Sequence, residues 1–142
     1  MQNYQLAQIN IARLVVPEGD PQVSDFFDNI ERINQLAEQS PGYVWRLEDD
    51  YEPDPMLLFN LSIWESIEQL AAFAYRTEHV QFLRRRAEWF IPMETPSLAL
   101  WWVEEGERPD HEESLRRLAH LEEHGPTPEA FTFTEKFAAP SA

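Results

Sequence analysis

The stretch LLFNLSIWES, residues 57–66, decides how this chain is read. Side chains in a strand alternate between faces, so Leu57, Phe59, Leu61 and Ile63 form one apolar row. Met56, Leu58, Asn60, Ser62 and Trp64 form the other, and two polar groups therefore share a face with large apolar ones. Water, a partner subunit and a ligand are the three possible destinations of that second row.

Working outward, Ser66 with Gln69 three residues later has the spacing of a capping box and predicts a helix start. Ile67, Leu70, Ala71 and Ala74 give its buried stripe. Thr77 offers a second cap, predicting a break near Arg76 and a further helix from Glu78 to about Phe90, with Val80, Leu83 and Ala87 inward. Upstream, the acidic DDYEPDP is a loop, and YVWRLED (Tyr43 to Asp49) has the aromatic and β-branched character of a strand. Ser40, Pro41 and Gly42 end a preceding amphipathic helix that starts at Asp20-Pro21 and carries Val23, Phe26, Phe27, Ile30, Ile33, Leu36 and Ala37 at helical spacing. The first strand is YQLAQINIARL, Tyr4 to Leu14.

Downstream, SLALWWV (Ser97 to Val103) is a strand, and Asp110 with Glu113 opens a helix to about His124, ended by Gly125 and Pro126. The tail AFTFTEKF either adds a short edge strand or lies across the domain. A β-α-β-β-α-β order is ferredoxin-like: an α+β fold with a four-stranded antiparallel sheet, here with an extra C-terminal helix. On this reading the Phe59 row packs under the helices and the Asn60 row lies on the open sheet face.

At 142 residues and 43% hydrophobic, the chain suits a single domain over 1–142, with 125–142 as a C-terminal extension. No apolar run approaches the roughly 20 residues that span a bilayer, and no signal-peptide pattern opens the chain, so no membrane partner and a cytoplasmic protein are expected. There is no cysteine, which excludes disulfides, thiolate metal sites and cysteine nucleophiles. Eleven Lys and Arg against 26 Asp and Glu leave a net charge of −15, and Arg84, Arg85 and Arg86 point in different directions around a helix, so no nucleic-acid partner is expected.

The motifs SIWESIEQLAAFAYRTEHVQFLRRRAEWF, LALWWVEEGERP and GPTPEAFTF make the chain resemble the bacterial family catalogued as domain of unknown function 3291. That family is similar to the dimeric α/β-barrel superfamily, which also holds antibiotic-biosynthesis monooxygenases and haem-degrading enzymes. The resemblance implies a homodimer paired as a dimeric α/β barrel. The residues give a separate reason: an open face holding Leu6, Leu58, Leu98, Leu100 and either Trp45 or Trp102 would be a large apolar patch on a monomer. One departure stands out, because family members often carry a His after the first-strand Tyr where this chain has Gln5.

His79, beside Thr77 at an expected helix start, is the leading titratable candidate, since a helix N-terminus disfavours the imidazolium form. The resemblance implies a pocket role for it, and for Asn10 as the strand Asn that haem-degrading relatives place near their ligand. Asn10, Asn60 and Ser62, with Gln8 and Arg46, are the polar groups that would converge on a cavity, and Trp45, Trp64, Tyr75, Trp101 and Trp102 its walls. The alternative is that these polar groups satisfy one another in a buried network. His120 and His124 share a helix face, but HLEEH is not HExxH, and no metal is expected.

The functional expectation is a monooxygenase-like protein oxygenating a hydrophobic aromatic molecule without a cofactor. His79, Asn10 and Trp64 would act catalytically; Asn60, Ser62, Trp45, Arg46, Tyr75 and Trp101 would bind substrate. The alternatives are a haem-binding or haem-degrading protein using His79, and a non-catalytic ligand-binding or structural homodimer.

Overall fold

The structure is a computed structural model in which residues 3–76 and 84–140 are described. Strand β1 (Tyr4–Leu14) leads through a 3-10 turn (Pro21–Val23) into α1 (Ser24–Glu38). Then follow β2 (Tyr43–Arg46), β3 (Leu57–Trp64), α2 (Ile67–Arg76), α3 (Arg86–Trp89), β4 (Phe90–Ile91), β5 (Leu98–Glu104) and α4 (His111–His124). The local stop and start signals act as their chemistry requires. Asp20 accepts the amide of Gln22 at 2.9 Å, Ser66 Oγ that of Gln69 at 3.2 Å, and Asp110 that of Glu113 at 2.9 Å. Gly125 ends α4 with φ 73°, its amide bonded to the carbonyl of Leu121.

The sheet is antiparallel, ordered β2-β3-β1-β5, with β4 pairing the end of β1 at Arg13 and Leu14. This is the ferredoxin-like order with one short strand added. The expected second strand stops at Arg46 rather than Asp49. A register shift falls between Tyr43 and Trp45, and beyond Arg46 the charged run Glu48–Asp50 is exposed, with no apolar surface to hold it in a ladder. Of the helix expected over 78–90, residues 77–83 lie outside the described residues. In the part that is described, Ala87 is exposed and Trp89 takes the buried place, while Phe90 already belongs to β4.

Both faces of the sheet are covered, and the assignment of rows is the reverse of the expectation. Leu6, Trp64 and Leu100 pack against Ile33 of α1 and Ile67, Leu70 and Phe73 of α2. The Phe59 row, with Ala7, Ile9, Leu61, Ile63 and Trp101, packs against Leu118 and Leu121 of α4. Alternation defines two rows but not the side from which each helix arrives, and both rows here are apolar enough to be buried. The helix read as an addition supplies the cover of the second face. Leu6 and Leu100 are fully buried within the chain, so the exposed apolar patch invoked for a dimer does not exist at those residues.

The tail does both things its sequence allows. Phe131 exchanges two 2.8 Å backbone hydrogen bonds with Leu100 at the outer edge of β5, and its ring is completely buried. Phe133 and Phe137 pack onto the same cluster, where Trp102 Nε1 donates to the carbonyl of Phe137 at 2.9 Å. Within the arginine run Arg85 is structural: it binds Asp25 of α1 at 2.8 Å and Glu88 at 2.9 Å while lying 4.7 Å over the ring of Trp89.

Candidate functional site

The apolar layer between the sheet and the helices α1 to α3 is divided in two. One cluster holds Leu6, Trp64 and Leu100; the other holds Leu14, Val23 and Trp89 with Leu58 and Met56 against them. Along β3 the row therefore runs Met56, Leu58, then Asn60 and Ser62, then Trp64. Along β1 it runs Leu6, Gln8, Asn10, Ala12, Leu14. Helix α1 repeats the division: Phe26 and Phe27 join one cluster, Ile33, Leu36 and Ala37 the other, and half-buried Ile30 joins neither. The sheet between the two clusters is polar because Asn10 and Asn60 are direct cross-strand partners, as are Gln8 and Ser62; exposed Asn60 and half-buried Asn10 mark this stretch as a gap in the apolar cover.

Gln8 is nearly buried and its Nε2 reaches three acceptors: the backbone carbonyl of Asn60 at 2.9 Å, Asn60 Oδ1 at 3.1 Å and Ser62 Oγ at 2.9 Å. Trp64 Nε1 donates to the same Ser62 hydroxyl at 2.9 Å. The buried-network alternative thus describes Gln8, Ser62 and Trp64 well, and the Trp64 N–H is already committed to Ser62. It does not describe Asn60, which remains exposed, nor half-buried Asn10, whose side-chain amide has no hydrogen-bond partner among the described residues.

Arg46 is the cross-strand neighbour of Ser62 on the other side, so it faces the same gap. Its Nε lies 3.5 Å from Glu38 Oε1, close enough for an ion pair but with no hydrogen bond formed, and its Nη2 lies 3.3 Å from Glu48. Tyr43, edge-on to Trp64 at 5.7 Å, has its phenol pKa raised first by burial and then by the carboxylate of Glu38, which keeps it neutral.

The fold thus gathers Asn10, Asn60, Ser62, Trp64 and Arg46 on the side of the sheet that α2 covers. His79 lies outside the described residues. Tyr75 is more than half exposed on α2, edge-on to Phe133 at 5.6 Å. Trp45 and Trp101 are on the opposite face: Trp101 is fully buried beneath α4 with the Arg117 guanidinium 5.4 Å over its ring, and Trp45 carries Arg108 at 5.4 Å. They wall a different region from Asn60, since alternation places odd and even residues of one strand on opposite faces. Gln8 is the residue whose importance the sequence understates. Its only signal is its place two residues before Asn10 in the same row.

A separate surface cavity of about 460 Å³ lies between β5, the loop after it and α4, bordered by Tyr4, Trp101, Trp102, Arg108, Glu113 and Arg117. Glu113 there is bound by Arg117 at 2.8 Å and Arg116 at 2.6 Å. Burial pushes the Glu113 pKa up, but the hydrogen bonds from Arg116 and Arg117 outweigh it and hold the carboxyl below its ordinary value. The rings of His120 and His124 lie 4.4 Å apart, tilted by 42°, and His120 Nε2 contacts Thr127 Oγ1 at 3.1 Å.

The fold is that of the antibiotic-biosynthesis monooxygenase-like proteins. Solved structures that share it include these three. The Pseudomonas aeruginosa protein PA3566 is 11% identical, with TM-score 0.54, covering 75% of this chain and 99% of that one. A Nitrosomonas europaea protein provisionally named an antibiotic biosynthesis monooxygenase is 14% identical, with TM-score 0.50, covering 75% and 92%. The Nitrosomonas europaea protein NE2512, of unknown function, is 13% identical, with TM-score 0.50, covering 75% and 94%. No curated protein matches the sequence significantly. The chain belongs to the family described as Domain of unknown function (DUF3291), which matches residues 5–142. Among the described residues no helix is long and apolar enough to cross a membrane.

Proposed function

We propose that the chain binds a hydrophobic aromatic small molecule in the gap between α1 and the sheet, and oxygenates it without a resident cofactor. The observation that carries this reading is the cross-strand pair Asn10 and Asn60 between two apolar clusters: the Asn10 amide has no partner among the described residues, and Asn60 is bonded through Oδ1 alone, which leaves its NH₂ to a ligand. A polar group set in an apolar surround is costly unless something bonds it, and a ligand oxygen would do so. Flanking Leu58 and Ile30, each partly exposed, offer apolar surface for a ring.

The reaction such a site suits is the conversion of an activated aromatic methylene to a carbonyl. The C–H proton leaves, the carbanion is held as its enolate by amide donors, and dioxygen takes up the electrons. One oxygen atom becomes the new C=O, and the other leaves as water with the two hydrogens of the methylene. The protein supplies donors aimed at the enolate oxygen and a water-poor site. His79 is the proposed base for the first proton, and Ser62 and Arg46 extend the donor row. Oxygen uptake with anthrone as probe tests this. The expected result is protein-dependent uptake that falls at least about tenfold in Asn10→Ala/Asn60→Ala; uptake no faster than in buffer would refute the oxygenation.

The homodimer is part of the same proposal, supported by the fold and by the incomplete cover on the α4 face, where Val44, Trp45, Leu47 and Leu57 are only partly buried. Sedimentation at micromolar concentration tests it, and a monomer would refute it.

A further inference from the structure

We infer that Gln8 is a positioning residue that sets the hydrogen-bond polarity of Asn60 and Ser62, so that the groups these two leave unpaired are donors and the gap selects ligands presenting an oxygen acceptor; the Asn10 amide, bonded by neither, turns to match the ligand. The inference rests on the small-molecule reading above. It follows from the direction of each hydrogen bond: of the two Gln8 N–H groups one points at Ser62 Oγ and the other is shared between the carbonyl and Oδ1 of Asn60. A backbone carbonyl can only accept, so the Gln8 atom 2.9 Å from the Asn60 carbonyl is its NH₂ nitrogen. The Asn60 atom 3.1 Å from that nitrogen must then be Oδ1, which turns the Asn60 NH₂ away from Gln8. Asn60 is exposed, so this NH₂ is what the residue has left to offer a ligand.

Ser62 follows the same logic. An indole N–H can only donate, so Ser62 Oγ accepts from Trp64 and from Gln8, filling both its acceptor positions and leaving its hydroxyl hydrogen to donate. Arg46, next in the same cross-strand row, is a donor without acceptor capacity. The carboxylates near this row, Glu38 and Glu48, are those already facing Arg46. Gln8 and Ser62 are each 6% exposed; Gln8 acts chiefly through Asn60, the exposed member of the network.

Two probes with the same ring separate donor from acceptor preference: 2-naphthoate and 2-naphthylmethylammonium. Each is titrated at about 0.5 M salt, which screens the net charge of the chain, with the backbone amides of residues 10, 60 and 62 reporting where binding occurs. The wild type is expected to bind naphthoate at least about tenfold more tightly than the amine, the size of one charge-assisted hydrogen bond. Gln8→Met keeps the side-chain length but frees the Asn60 amide to turn, and the ratio is expected to fall to about threefold or less. Asn60→Asp keeps an oxygen for Gln8 but presents an oxygen outward, and the ratio is expected to reverse; being exposed, this position does not endanger the fold.

Retention of the wild-type ratio in Gln8→Met would overturn the role of Gln8. A wild type that binds in the gap but prefers the amine, or has no preference, would overturn the donor polarity while leaving the small-molecule reading standing. No binding of either probe, or amide shifts confined to the cavity at Arg108 and Arg117, would remove that reading and this inference together.

Discussion

Replacing Phe131 by alanine removes a completely buried ring from a segment that sequence alone leaves as a tail. An aromatic side chain takes about 150–250 Å² out of water, worth ~4–6 kcal/mol at ~25 cal/mol per Å². Measured Phe→Ala changes in cores run to ~3–5 kcal/mol, and the lower half of that range applies here because the site lies at the sheet edge and can relax. The two 2.8 Å backbone bonds to Leu100 remain possible in the variant, so the loss reports side-chain packing against the Leu6, Trp64 and Leu100 cluster rather than loss of the bridge. Urea unfolding measures it. With a slope of about 2 kcal/mol per M, a loss of ~3–4 kcal/mol lowers the midpoint by roughly 1.5–2 M at unchanged slope. Lys136→Ala, an exposed change in the same tail, is the control and is expected to stay within about 0.5 kcal/mol. A midpoint shift below about 0.5 M for Phe131→Ala would show that the tail is not part of the cooperative unit and would refute the reasoning.

Three further outcomes follow from the same contacts. Gly42 has φ 89°, and a Cβ there would run into the Gln69 side chain that accepts from the Ser66 hydroxyl, so Gly42→Ala is expected to cost ~1–3 kcal/mol by urea unfolding; a change within about 0.5 kcal/mol would count against it. Glu113→Gln removes a carboxylate whose pKa is held down in the folded state, so the ionised group stabilises the fold above its unfolded pKa of about 4.3. The wild type should therefore exceed the variant by ~1 kcal/mol near neutral pH, with the difference vanishing as pH falls through the lowered folded value; a pH-independent difference would contradict this. Cofactor independence predicts that anthrone-dependent oxygen uptake survives exhaustive chelation and that haemin titration produces no shifted Soret band; a band lost in His79→Ala would favour a haem-binding protein instead.

Much of the secondary structure was legible in the sequence because its causes are local. β1 and β3 have the period-2 rows and flanking breakers of strands, and α2 and α4 start at Ser66 and Asp110, where a side-chain oxygen meets a free amide; Asp20 caps in the same way the 3-10 turn that precedes α1, which itself begins only at Ser24. The same local rules showed that Asn60 and Ser62 share a row with Trp64. They did not show that Trp45 and Trp101 belong to the other side, because a list of aromatic residues carries no sheet register until strands are paired.

The side of the sheet on which each row lands was decided by tertiary structure. It depends on how the connections carry α1, α2 and α4 over the sheet, a non-local choice to which alternation is blind when both rows are apolar. That choice moved Asn60 from an expected open face to the layer under α1 and α2. The hydrogen bonds of Gln8 are tertiary for the same reason. Gln8 and Ser62 lie 54 positions apart in the chain, and only the antiparallel register of β1 against β3 makes them neighbours.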